Sequence, residues 1–135
     1  MRQLLWIALG SALGSSLRYG TDLAGSAIDV GGLPVATLLV NFFGSLLIGY
    51  LAGLWAGGGA VAPHPYKWHF WMTGFCGGFT TFSAFSWQVL ELIGSDRAQL
   101  AGFYAAGSVG LGLFAVWAGL AWANARARSN SSSWQ

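Results

Sequence analysis

The sequence predicts an all-α membrane protein with four transmembrane helices, the third of them broken. Three observations carry that reading. Only 7% of the 135 residues are charged and 55% are hydrophobic, whereas a soluble domain carries about 25% charged residues. Leu33–Ala56, Trp68–Leu90 and Leu100–Ala123 contain no Asp, Glu, Lys or Arg, and about 20 mostly apolar residues suffice to cross a bilayer. The stretches between them are short and punctuated by Gly and Pro, which interrupt helices.

Taken in order, the expected spans cover residues 4–25, 33–56, 67–92 and 98–124, within a single domain over residues 1–128. The first is the weakest, because Arg18 and Asp22 interrupt it. Its opening, "MRQLLWIALGSALGSS", has the look of a secretory leader, but apolar character resumes after Arg18, which favours a first helix. The connections fall at Gly25–Gly32, Gly57–Tyr66 and Gly94–Asp96, and residues 129–135 form a polar, serine-rich tail expected to fray. Four spans put both termini and the middle loop on one side. Arg2, Lys67, Arg126 and Arg128 fall on that side, against Arg97 and Arg18 opposite, so the positive-inside rule favours cytoplasmic termini. Trp6, Trp55, Trp68, Trp71 and Trp122 fall near the same face, as an interfacial aromatic belt would.

Gly10 with Gly14, Gly49 with Gly53, and the run Gly107, Gly110, Gly112 mark places where helices are expected to pack closely in lipid. Four short helices enclose little volume, so a solute pathway calls for a second copy of the chain.

Several function classes drop out early. The net charge is +2 with scattered bases, unlike the clustered stripe of a nucleic-acid binder. The single cysteine, Cys76, allows no intrachain disulfide and no cysteine-cluster metal site. His64 and His69 lack ligand partners at helical spacing and read as interfacial. No Ser/His/Asp set, phosphate loop or paired carboxylate is present, so an enzyme is not expected. No carboxylate sits at the centre of a span, where proton-coupled exchangers place their relay.

Polar residues at membrane depth carry the functional signal, because each needs a partner or water. Thr37, Asn41 and Ser45 share one face of the second helix, and Tyr104 and Ser108 form a matching stripe on the fourth. Asn41 has two readings: an interhelical hydrogen bond, or an amide donor facing an anion. Arg18 likewise reads either as a snorkelling cation or as a positive potential drawing anions, with Asp22 four residues on as a neutralising partner.

The segment "GFCGGFTTFSAF", Gly74–Phe85, is a poor helix former on both sides of Gly77-Gly78 and Thr80-Thr81. Broken backbone persists in a membrane only where it is buried in protein or lines water. A simple glycine kink is one reading. The other is a break whose freed carbonyls hold a small hard cation such as Na+. Phe82 and Phe85 are three apart and present electropositive ring edges. With Ser83 and Asn41 they suit a small anion whose hydration shell must be replaced.

"GFCGGFTTFSAF", with "TLLVNFFGSLLIG" and "GSSLRYG" upstream, strongly resembles the bacterial fluoride channels of the Fluc/CrcB family, across all four expected spans. The resemblance implies a multi-pass protein of the bacterial cytoplasmic (inner) membrane, in contact with lipid and assembled as an antiparallel, dual-topology homodimer. It implies two fluoride pathways and a central Na+ held at the dimer interface by the carbonyls of Gly77 and Thr80. Phe82 and Phe85 match the pore phenylalanines, Asn41 the pore asparagine, and Arg18 the first-helix arginine near the vestibule. Thr37, Ser83, Tyr104 and Ser108 complete the expected fluoride pathway. Ala84 stands where relatives often carry threonine, and Gly112 where some carry another hydroxyl.

The function this implies is passive efflux of fluoride, lowering its cytoplasmic level. Two other classes stand beside it: a small dual-topology proton-coupled multidrug exporter, which a membrane glutamate in the first helix would mark, and a noncatalytic membrane subunit, which would pass no ions alone.

Overall fold

The computed structural model describes residues 1–25, 30–56 and 64–132. Residues 26–29, 57–63 and 133–135, which hold much of the first two connections and the end of the tail, lie outside the described residues. The described chain is helical almost throughout. α1 spans Arg2–Gly25 and α2 spans Val35–Ala56. A continuous helical run then passes from α3, Pro65–Trp68, through a π-helix, His69–Cys76, into α4, Gly77–Phe79. α5 follows at Ser83–Gly94 and α6 at Ala98–Ser132.

Local chemistry explains several boundaries. α3 starts with Pro65 at its first turn, where a missing N–H costs nothing, and the His64 ring accepts from Tyr66 N–H. The α5–α6 connection closes with Ser95 N–H donating to Glu91 O and Arg97 N–H to Leu92 O. Asp96 there takes a positive φ of 57°, which Asp tolerates better than bulkier residues. Arg97 reaches back to donate to the Gly31 carbonyl, pinning the turn before α2 to the start of α6.

Two helices are long and apolar enough to cross a bilayer, Val35–Trp55 at a mean hydropathy of 1.9 and Ala98–Ser129 at 1.6. With so few charges in the chain, they make it an all-α membrane protein. α2 packs mainly on α6, whereas α1 packs mainly on the π-helix and α4, and α5 lies on α6.

Glycine decides both close contacts. A Cβ at Gly49 would strike the Val116 carbonyl oxygen, and one at Gly119 would strike the Leu46 carbonyl oxygen, so α2 and α6 meet backbone to backbone. Gly10 and Gly14 do the same for α1 against the carbonyls of Phe70 and Phe75. The run Gly107, Gly110, Gly112 departs from expectation. A Cβ at Gly107 or Gly110 would meet nothing within 4 Å, and one at Gly112 only Ser45 Oγ at 3.7 Å. Within one chain the α2–α6 contact rests instead on Gly119, a residue outside that run.

α6 extends through Ser132, past the start of the expected tail at residue 129. His69 opens the π-helix and is half-buried. The aromatic residues do gather: Trp55 meets Trp68 at 5.5 Å, Trp6 stacks on Tyr66 at 5.9 Å, and Trp122 lies 5.0 Å from Tyr50. The single chain leaves large apolar side chains open, including Phe103 at 77% and Leu113 at 69% exposure. Surface of that kind suits lipid or protein contact, not water.

Candidate functional site

The site is organised by an interruption between α4 and α5. Helical hydrogen bonding runs as far as Thr80 N–H, which donates to Cys76 O at 3.0 Å, and the Thr80 hydroxyl adds a second bond to the same oxygen at 2.8 Å. Thr80 then turns extended, with ψ of 160°. The next amide, Thr81 N–H, would close on Gly77 O in a continuous helix. It donates instead to Asn41 Oδ1 at 2.8 Å, and Asn41 Nδ2 donates to Thr81 O at 3.0 Å. Ala84 N–H, the helical partner of Thr80 O, is diverted to Thr81 Oγ1 at 3.1 Å. Gly78 O accepts from Ser15 Oγ and from Arg18 Nε of α1, both at 3.4 Å.

Beside the interruption lies an open groove of about 370 Å³ between α2, α5 and α6. Asn41 and Ser45 line it from α2, Thr80, Thr81, Phe82 and Phe85 from the interruption, and Ser108 and Gly112 from α6. The Phe82 and Phe85 rings are 5.6 Å apart, and Phe85 lies 5.5 Å from the Tyr104 ring. Phe85 packs on the cluster of Leu92, Ala101 and Tyr104, whereas Phe82 is 80% exposed. Ser108 Oγ is buried beside the Tyr104 hydroxyl.

A second recess, of about 450 Å³, opens among Asp22, Gly32, Pro34, Thr37, Ala84, Gln88 and Glu91. A side-chain relay borders it: Tyr104 Oη donates to Gln88 Oε1 at 2.7 Å, and Gln88 Nε2 donates to Thr37 Oγ1 at 2.9 Å. Thr37 is 2% exposed. Phe85, Tyr104 and Gln88 thus connect the edge of the groove to the edge of the recess.

Asn41, Phe82, Phe85 and Ser108 therefore share one groove. Thr37 and Tyr104 belong to the relay beside it. Ser83 stands apart: it pairs with Thr81 Oγ1 at 3.3 Å and does not line the groove. Arg18 faces the interruption from α1, with Nη1 3.9 Å from Asp22 Oδ2, so the ion pair and a contact to backbone coexist.

Residues 5–120 match the family model described as CrcB-like protein, Camphor Resistance (CrcB). The chain belongs to the CrcB family. The matched segment holds every residue of the groove and the relay. Similar curated proteins include "Fluoride-specific ion channel FluC" of Flavobacterium psychrophilum, 44% identical over 120 residues, covering 89% of this chain and 95% of that one. "Fluoride-specific ion channel FluC 1" of Bradyrhizobium diazoefficiens is 44% identical over 115 residues, covering 84% and 79%. The protein of the same FluC description from Paramagnetospirillum magneticum is 46% identical over 114 residues, covering 84% and 88%.

The CrcB chain also offers groups suited to a small hard cation. The carbonyls of Gly77 and Thr80 lose their α-helical amide partners, which turn to Asn41 Oδ1 and to Thr81 Oγ1. Oxygen donors of this type fit Na+, and among the described residues no cluster of three His, Cys, Asp or Glu offers an alternative metal site.

Gln88 escaped the sequence reading. The signal that could have found it is its place three residues after Phe85, on the same face of α5. Glu91 lines the same recess one turn further on.

Proposed function

We propose that this protein is a fluoride-specific channel that lets F− leave the cytoplasm passively across the inner membrane of a bacterium. The observation that carries the reading is the groove that brings Asn41, Phe82, Phe85 and Ser108 together beside the interruption. Fluoride is a small, strongly hydrated acceptor. It needs donors to replace its water and has no use for a full cation at every step, since a filter must bind weakly enough to release. Hydroxyls, one remaining Asn41 N–H and phenyl edges offer such a path. The names of the similar proteins support the choice of fluoride over other small anions.

In this reading the chain crosses the membrane four times, with the interruption between α4 and α5 as a break in the third span. Two copies assemble antiparallel, each inserted in either orientation, and lipid covers the rest. The exposure of Phe82 and the open surface at Gly107 and Gly110 are compatible with a second copy closing the groove. Na+ at the dimer interface would be held by the Gly77 and Thr80 carbonyls and would supply a fixed positive charge. Asn41 holds the break open, Phe82 and Phe85 line the path, and Thr37, Gln88 and Tyr104 keep donors aligned at its edge. Arg18 stands near the vestibule, and Ser83 lies beside the path through Thr81. No chemical reaction is catalysed.

Fluoride-electrode recording of efflux from liposomes holding the purified protein tests the reading. Rapid loss of F−, with chloride retained, is the expected result. Absence of flux would leave a noncatalytic membrane subunit, and pH-driven efflux of organic cations an exporter.

A further inference from the structure

Arg18 does something more specific than supply charge. Its Nε donates to Gly78 O at 3.4 Å, and Ser15 Oγ donates to the same oxygen at 3.4 Å. One turn earlier, Ser11 Oγ donates to Gly74 O at 3.3 Å. Ser11, Ser15 and Arg18 follow one face of α1, the face on which Gly10 and Gly14 let the opposing backbone approach. The guanidinium is also partly neutralised by Asp22 at 3.9 Å, which weakens its field on a passing anion.

Several carbonyls around the interruption have partners: Cys76 O is taken by Thr80, Gly78 O by α1, Thr81 O by Asn41, and Phe82 O by Ser86. The amides that would bond Gly77 O and Thr80 O in a continuous helix donate instead to Asn41 Oδ1 and Thr81 Oγ1. Gly77-Gly78 is the pair of residues with the greatest freedom to rotate. Without a tether on Gly78 O, the peptide planes on either side could turn and scatter those two acceptors.

We propose that Arg18 is a positioning residue for the backbone cation site: its Nε, with Ser15, holds Gly78 O from α1 and so keeps the Gly77 and Thr80 carbonyls turned to a common ligand. The inference rests on the reading of those carbonyls as the Na+ site. It assigns to Arg18 a role that depends on the position of Nε and not on charge alone.

The test measures thermal unfolding of the purified full-length protein in detergent as Na+ replaces N-methylglucamine at constant ionic strength. The variants are Arg18→Met, Arg18→Lys and Ser15→Ala. The parent is expected to gain stability with Na+. Arg18→Met and Arg18→Lys should both need roughly tenfold more Na+ for half that gain, the scale of one lost charge-assisted hydrogen bond. Ser15→Ala should shift the midpoint about threefold the same way, the scale of a neutral bond. A parental midpoint in Arg18→Lys would overturn the proposal, because it would leave charge as the whole contribution. If neither Arg18 variant folds, Ser15→Ala decides, and an unshifted midpoint there overturns it. A parent indifferent to Na+ would remove the cation site itself and the proposal with it, a failure distinct from a parent that responds and variants that match it.

Discussion

Asn41 on α2 engages both backbone hydrogen-bonding groups of Thr81, donating to its carbonyl at 3.0 Å and accepting its N–H at 2.8 Å. One amide side chain thereby replaces the helical partners that Thr81 gives up. Asn41→Asp keeps the acceptor but loses the donor, leaving Thr81 O facing a carboxylate. It is expected to lower stability by about 1–2 kcal/mol, the upper range for a polar pair in a membrane. Thermal unfolding in detergent checks the stability, and liposome efflux is expected to fall with it.

Phe82 and Phe85 separate cleanly by packing. Phe82→Ile removes a ring that is 80% exposed and belongs to no intrachain core, so the single chain should fold as the parent does. Phe85→Ile also loses the ring contact with Tyr104 and packing on the cluster around it, and should cost about 1 kcal/mol of stability. Both should cut F− efflux at least roughly tenfold, an energy of about 1.4 kcal/mol at the barrier. Undiminished flux in both would dismiss the phenyl path.

Gln88→Leu breaks the relay at its centre, leaving Tyr104 Oη without its acceptor and buried Thr37 without its donor. Tyr104→Phe removes one end and leaves Gln88 bound to Thr37. The first is therefore expected to slow efflux and destabilise more than the second, by about 1–2 kcal/mol. Equal effects would mean that the three side chains do not act as a unit.

Complete replacement of Na+ by a large organic cation is expected to lower assembly or F− flux, although Na+ itself is not carried. Gel filtration and efflux, recorded before and after exchange, report the two effects separately. Identical behaviour in both media would exclude a bound Na+.

Gly119→Leu forces a side chain against the Leu46 carbonyl and should cost about 1–3 kcal/mol, reading out as lost expression or a lower unfolding temperature. Gly20→Ala, on α1 where an added Cβ meets nothing within 4 Å, should instead be neutral or stabilise by about 0.5–1 kcal/mol.

The sequence made some of this legible and hid the rest for physical reasons. Long uncharged runs announced α2 and α6, because hydropathy and helix length are local properties. Spacing placed Thr37, Asn41 and Ser45 on one face, and Asn41, Ser45 and Ser108 do line one groove. Spacing could not say what Asn41 binds, since its partner lies 40 positions away. The π-helix at His69–Cys76 left no mark, as no composition distinguishes it from an α-helix. Gly107 with Gly110 and Gly10 with Gly14 are both pairs of small residues about one helical turn apart, yet only the latter meet backbone within the chain. A small residue permits approach without naming the partner.

The docking of Thr81 on Asn41 also bears on portability. The peptide Gly74–Phe85 carries its own glycines and threonines, but not the amide, hydroxyl and guanidinium groups that hold it apart. Grafted alone into another membrane helix, it would have no outside partner for Thr81 and would recover a continuous hydrogen-bond ladder. The transferable unit is α1, α2 and the interrupted segment together, so a designer who wants this geometry elsewhere must move three strands of sequence and not one motif.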